Sequence, residues 1–294
     1  MQLIKPSFEI INQEPGFEGV LKQIEKAGRT CYKSEDRISE GSAKKFVDML
    51  TTNCHGAMLE HGTVYLSMST GLIDAILHSD LVGKYMNNKY SVCVPYVEYE
   101  NDEDIVGISK IAVTTNYRVL VENGWLDDLK YQCEPTKYHE KRITVKITCD
   151  RGVTHEFVRH RVFSFAQEST RYCNYSKGKF GEELVFIKPI WLDSEILESY
   201  GPYHTVARSN TPESIYIANL NNAERDYMDL INMGWKPQEA RAILPNSLKA
   251  ELVMTGFTSD WKHFFELRCD SGAHPQAKEI AIPLQQVFID NNYI

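Results

Sequence analysis

Residues 159–172 read Arg159-His160-Arg161-Val162-Phe163-Ser164-Phe165-Ala166-Gln167-Glu168-Ser169-Thr170-Arg171-Tyr172. Three arginines, a histidine, two serines and a glutamine share this short segment. A core element cannot bury three unpaired guanidiniums, because desolvating unpaired charge is very costly. A solvated face more often mixes in lysines and acids. The ordinary alternative is an internal ion-pair network with Glu156 and Glu168. Ser164, Gln167 and Ser169 weigh against it, since small neutral donors and acceptors suit phosphate oxygens and amide edges. Arginine grips phosphate and planar acceptor groups through a bidentate fork. The segment therefore points to a site for an anionic, hydrogen-bond-rich ligand such as a nucleotide.

Working outward, Ile143–Cys149 and Thr63–Ser69 carry the alternation of strands, and 3–11 reads as a third. Phe17, Val20, Leu21 and Ile24 recur at helical spacing over 16–27, and Phe46, Val47 and Leu50 do so over 41–52. Between Thr63–Ser69 and Ile143–Cys149 lies a mixed segment, about 70–142, with a helical stretch at Leu72–Leu77 and an acidic loop around Glu98–Asp104. Thr115-Asn116 caps a further helix to about Glu122. This segment reads as an elaboration between two strands that still pair with each other. Downstream, Thr211-Pro212-Glu213 starts a helix that runs to Met233 and stops at Gly234. Pro237–Leu244 begins a short helix, Leu248–Gly256 reads as either helical or extended, and Asp260–Cys269 and Ala277–Ile289 read as helices. Separated strands and helices make the fold class α/β, with α+β open.

The chain has 294 residues, 43% of them hydrophobic, and a net charge of −8. An acidic chain with pI about 5.6 lacks the footprint of a general nucleic-acid binder. Against that background the arginines at 159, 161 and 171 are a local exception. Seven scattered cysteines without a CxxC pair read as reduced thiols in a cytoplasmic protein. No secretory leader and no run long enough to span a bilayer is evident, so no membrane partner is expected.

Arg159-His160-Arg161, then seven residues, then Ser169 with Arg171 two positions later, resembles the signature of the flavin-dependent thymidylate synthases. Leu59-Glu60-His61 resembles that family's upstream Glu-His motif, and Arg241-Ala242-Ile243-Leu244-Pro245 its Arg-x-x-Leu-Pro motif. Phe264–Asp270, followed by His274 and Lys278-Glu279-Ile280, resembles its C-terminal block. The resemblance covers roughly 1–69 and 143–290; the segment 70–142 is longer than the corresponding connection in compact members.

The resemblance implies a subunit with a central sheet flanked by helices, here one domain over 1–294 with an insertion at about 70–142. It implies a homotetramer with active sites shared between subunits. The implied reaction is reductive methylation of dUMP to dTMP, with methylene-tetrahydrofolate as carbon donor, NADPH as reductant and FAD as mediator. Arg159, His160 and Arg161 fall where the family holds flavin and nucleotide together; reduced flavin carries negative charge that such donors suit. Gln167, Glu168, Ser169 and Arg171 fall where dUMP is contacted, Gln167 also bordering the flavin, and Glu156 joins the nucleotide site. Arg241 matches an arginine that binds dUMP. Arg268 matches the arginine that activates the uracil, stabilising negative charge on the ring; its ordinary alternative is an ion pair with Glu266 or Asp270. His61, the second catalytic candidate, and Thr63 match positions near the flavin, as does His263. Phe257 and Ser259 lie at its adenosine end.

Many members carry Asn-Glu where this chain has Ala166-Gln167, which keeps an acceptor oxygen and loses a charge. A cysteine-dependent thymidylate synthase needs a thiolate nucleophile, and the Pro-Cys-His block of those enzymes is absent. Cys173 and Cys269 read as packing residues. A non-catalytic nucleotide- or flavin-binding protein on the same scaffold is the second alternative. His55, Glu60 and His61 superficially suggest metal ligands, but their spacing fits no strong zinc motif, and no metal site is expected.

Overall fold

The computed structural model describes residues 1–69, 80–99, 108–193 and 209–294. Its centre is a four-stranded antiparallel sheet in the order β2 (Ser7–Ile11), β6 (Arg142–Asp150), β9 (Lys249–Phe257), β7 (Ser164–Gln167). A second, three-stranded antiparallel sheet runs β3 (Thr63–Ser69), β5 (Ile108–Asn116), β4 (Val92–Glu98). A third pairs β1 (Gln2–Ile4) with β8 (Val185–Ile187) in parallel. The strand read at 3–11 is thus two strands serving different sheets, divided at Lys5-Pro6, because proline cannot donate to a ladder.

β9 explains why Leu248–Gly256 has no decisive periodicity. It is the only strand among the described residues flanked by β6 on one side and β7 on the other, and both its faces are covered. Val253 packs with Ala27 of α1 (Gly16–Tyr32), while Leu252 and Met254 pack against α9 (Thr258–Arg268) and α10 (Pro275–Asp290). A strand buried on both faces shows a continuous apolar run instead of alternation. α1 extends five residues beyond the expected end at 27 and stops where Lys33 turns left-handed at φ 47°. Its buried face of Val20, Leu21 and Ile24 joins Phe46, Val47 and Leu50 of α2 (Ser42–Thr52) and the inner face of β3 and β5 in one apolar core.

The segment 70–142 does not bridge two paired strands. β3 pairs with β5 of that segment, and β6 pairs with β2 and β9, so the two strands expected to pair lie in different sheets. The reason is that β5 gives β3 a partner of its own and β4 extends that sheet, with Val64, Leu66, Ile111 and Val113 facing one core. The helix expected at Leu72–Leu77, and most of the acidic loop after Glu98, lie outside the described residues. The short helices in and around this segment are α3 (Gly56–Leu59), α4 (Asp80–Met86) and α5 (Tyr117–Asn123). α5 starts at Asn116, whose carboxamide accepts from Val119 N at 3.2 Å.

α6 (Arg151–Phe157) follows β6 directly. α7 (Pro212–Asn232) begins as its sequence requires: Thr211 Oγ1 accepts from Ser214 N at 3.3 Å and proline fills the first turn. Gly234 then turns the chain at φ 98°. α8 (Pro237–Ala240) tightens into a 3-10 turn over Arg241–Ile243. No helix among the described residues is long and apolar enough to cross a membrane.

Candidate active site

α6 is the spine of the site. Asp150 caps it, accepting from Val153 N at 2.7 Å. Glu156 lies on its last turn and meets Arg268 at the end of α9. Arg268 Nη1 donates to Glu156 Oε2 at 2.9 Å, Nη2 to the Glu156 carbonyl at 2.7 Å, and Nε to His160 Nε2 at 2.9 Å. A guanidinium carries five N–H donors, so two are left for another acceptor. The ion pairs with Glu266 or Asp270 weighed as alternatives do not form; Glu266 instead faces His263 Nδ1 at 3.3 Å. His160 is 8% exposed and packs on Phe264. Burial, then the charge of Arg268 and the proximity of His263, hold it down to about 4. The ring is therefore neutral near pH 7, and accepting from Arg268 at Nε2 leaves its proton on Nδ1.

Two cavities adjoin this helix. One, of about 430 Å³, is lined by Arg151, Thr170, Gln238, Arg241, Ala242 and Leu244. Arg241 Nη1 donates to Thr170 Oγ1 at 3.3 Å. No acid lines this cavity, and among the described residues neither Arg151 nor Arg241 enters an ion pair. The other, of about 440 Å³, has Asp150, Glu156, Trp191, Asn246, His274 and Gln276 in its wall. Arg151 lines one cavity and its neighbours Asp150 and Gly152 the other; Leu244 lines one and Pro245 the other. The two cavities thus adjoin along two short segments.

The arginines of the opening segment are resolved by exposure. Arg159, Arg161 and Arg171 all face solvent and form no ion pair among the described residues, while His160 between the first two is buried. Ser169 Oγ accepts from Arg171 N at 3.3 Å. Gln167 Nε2 donates to Thr154 Oγ1 at 2.9 Å, tying β7 to α6. Glu168, read as a dUMP contact, is 2% exposed, accepts from Lys249 Nζ at 2.8 Å and Tyr175 Oη at 3.0 Å, and lines neither cavity. His61, read as catalytic, lies in the interior with no exposed surface. Its Nδ1 meets Thr255 Oγ1 at 2.8 Å and its Nε2 has no well-formed partner. Burial, and then Arg142, push it down to about 3, partly opposed by the Phe165 backbone. Thr63 is buried too, its hydroxyl accepting from Arg142 Nη1 at 3.4 Å. Phe257 lies under the Arg142 guanidinium at 5.5 Å, exposed Ser259 donates its N–H to Glu140 at 3.0 Å, and exposed His263 stands 6.4 Å from the His160 ring. His55, Glu60 and His61 turn to Tyr32, Arg118 and Thr255 respectively and do not converge.

Residues 96–290 match the model of the thymidylate synthase complementing protein family, well over half of the chain. The chain belongs to that family. Among curated relatives, this family member is 31% identical over 133 residues to a flavin-dependent thymidylate synthase of Pyrococcus furiosus, covering 45% of this chain and 48% of that protein. It is 31% identical over 136 residues to the flavin-dependent thymidylate synthase of Mycolicibacterium gilvum, covering 45% and 51%. The chain spans about half the length of the curated relatives it matches. A crystal structure of a UMP/dUMP methylase PolB from Streptomyces cacaoi bound with 5-Br dUMP is 16% identical, with a TM-score of 0.42 over 99% of this chain and 93% of that one.

Two arginines of this family member escape a reading by motif. Arg151 follows the capping Asp150 directly, and a basic residue just past a strand end is a weak but visible signal. Arg142 opens β6 and donates to the Glu60 carbonyl at 2.9 Å and Ser164 Oγ at 3.2 Å. Burial lowers it to about 10, which leaves it a cation. No sequence signal identifies it, because every one of these partners is remote along the chain.

Proposed function

We propose that the chain is a flavin-dependent thymidylate synthase that reductively methylates dUMP to dTMP. The observation that carries the reading is the pair of adjoining cavities, one cationic and without an acid, the other walled by Glu156, which holds Arg268. A mononucleotide has that division of chemistry: a phosphate for Arg151, Arg241 and Thr170, and a pyrimidine edge toward the remaining Arg268 donors. The names of the curated relatives support it.

In this reading Arg241, with Arg151 beside it, holds the phosphate, and Ser169 and Arg171 complete its shell. Arg268 stabilises negative charge on the pyrimidine carbonyl edge, which polarises the ring toward reaction at carbon. Glu156 fixes the plane of Arg268, and neutral His160 keeps its Nε occupied, so the free donors have one orientation. Cys173 is buried and burial raises the Cys269 thiol, neither of which favours a thiolate nucleophile.

The residues present fit FAD on one side. Among the described residues Arg159 and Arg161 offer exposed guanidiniums without carboxylate partners, and Phe257, Ser259 and His263 follow one another at the start of α9. When bound, the flavin supplies the redox chemistry that turns a one-carbon unit from methylene-tetrahydrofolate into a methyl group with electrons from NADPH. His61 and Thr63 are buried, and in this reading they act on the flavin side through Thr255 and Arg142. A homotetramer with shared sites accords with the exposure of Arg159 and Arg161, which leaves them for a neighbouring copy's ligand.

The test is tritium release from labelled dUMP by the flavin-loaded protein. Release that requires both NADPH and methylene-tetrahydrofolate is the expected result. Flavin-loaded, folded protein that binds dUMP and releases none overturns the catalytic reading in favour of a binding protein.

A further inference from the structure

Glu168 immediately precedes the turn that carries Ser169, Thr170 and Arg171, and Thr170 lines the arginine cavity. Its carboxylate is held by Lys249 Nζ and Tyr175 Oη inside the protein. Lys249 also reaches Glu251 Oε1 at 3.1 Å, and Glu251 in turn holds Lys33 and Lys146, each at 2.7 Å. Glu35 stands 3.4 Å from Lys33. Among the described residues Lys33, Lys146 and Lys249 thus stand against Glu35, Glu168 and Glu251, three cations to three carboxylates. Burial by itself raises the Glu251 carboxyl, but the lysines outweigh it and hold it at about 2. The backbone is fastened at the same place: Glu168 N donates to the Glu251 carbonyl at 2.8 Å and Ser169 N to the Cys31 carbonyl at 3.0 Å.

A buried charge that loses its partner is strongly unfavourable, so a closed network of this kind fixes one geometry. We propose that Glu168 is a positioning residue: its anchoring to Lys249 and Tyr175 sets the Ser169–Arg171 turn at the rim of the arginine cavity, so that a phosphate-bearing ligand meets donors already in place. The proposal rests on the nucleotide reading above. It assigns to Glu168 an effect on the phosphate end alone, exerted through Ser169, Thr170 and Arg171 without contact to the ligand. It also gives the lysine–glutamate network a function at the site, where packing alone would give it none.

The experiment compares calorimetric affinity for dUMP and for deoxyuridine, which lacks the phosphate, in the full-length protein. Glu168→Gln keeps the shape and removes the charge that Lys249 meets. Its expected effect is an about tenfold rise in the dUMP Kd with the deoxyuridine Kd unchanged. In turnover the same variant raises KM for dUMP and leaves kcat in place, and Glu168→Asp restores part of the affinity. Tyr175→Phe removes one hydrogen bond and keeps the ring packed; about threefold weaker dUMP binding is expected, and this variant carries the test if Glu168→Gln does not fold. Unchanged dUMP affinity in the folded variant, or equal loss for both ligands, overturns the assignment of Glu168. Wild-type protein that does not prefer dUMP to deoxyuridine instead overturns the nucleotide reading, and this inference with it.

Discussion

Arg268 uses three of its five N–H donors on Glu156 and His160, which leaves a guanidinium that is oriented but not saturated. A lysine has neither the plane nor the fork to bridge those partners. Both Arg268→Ala and Arg268→Lys are therefore expected to lower turnover by a factor on the order of 10²–10³, with flavin content and melting temperature close to wild type. Tritium-release rates beside the flavin absorbance check this; unchanged turnover in either variant excludes the proposed role. His160 makes a second prediction at the same scale. Its folded-state value of about 4 lies below the ordinary 6.5, so between those values the unfolded chain binds the extra proton. The stability it contributes is complete above pH 6.5 and is lost as pH falls toward 4. A shift of this size is worth about 3 kcal/mol, and His61 acts in the same direction. Asp150 and Asp260, raised by burial, oppose it at the acid end. Urea unfolding between about pH 7 and pH 5 should show the loss, and His160→Gln should make the dependence shallower.

Among the elements, β9 leaves little room beside its neighbours. At Gly256 an added Cβ would stand 2.5 Å from the Phe163 ring, which is itself buried against Trp261. Neither ring has space to yield, so Gly256→Ala is expected to destabilise the protein by about 1–3 kcal/mol, read as a lower urea midpoint at unchanged slope. The helices that begin with strong local chemistry, α5 at Asn116 and α7 at Thr211-Pro212, are legible from a few residues because capping is a local interaction. β9 is not, because covering both faces erases alternation. Nor is the pairing of β3, because its ladder partner is β5, far along the chain.

At the scale of the molecule, several apolar cores share the load, and the one under the central sheet is aromatic. Trp261 is fully buried, donates Nε1–H to the Ile143 carbonyl at 3.1 Å, and meets Phe163 and Phe288 at 4.7 and 5.1 Å. It therefore joins β6, α9 and α10 at one point. Trp261→Ala should cost about 3–5 kcal/mol and, because α9 also carries Arg268, should loosen the site along with the fold. Unfolding midpoint and nucleotide affinity should fall together; a drop in one without the other would separate core from site. The candidate site gathers residues from α6, the turn after β7, the 3-10 turn after α8, and the end of α9.

The amino-acid sequence by itself determined the local chemistry: the Arg159–Arg171 pattern and the capped helix starts. These are properties of residues within a few positions of one another. Only the tertiary structure decided which of those side chains are buried and which face solvent. Glu168 and Arg171 stand three positions apart, yet one is sealed against Lys249 and Tyr175 while the other faces solvent. His61 sits in a matching motif and is enclosed by Thr255, and Arg151 sits in no motif and lines the cationic cavity. Burial depends on partners contributed from elsewhere in the chain, and it is burial that determines whether a charged group binds a ligand or holds the protein together.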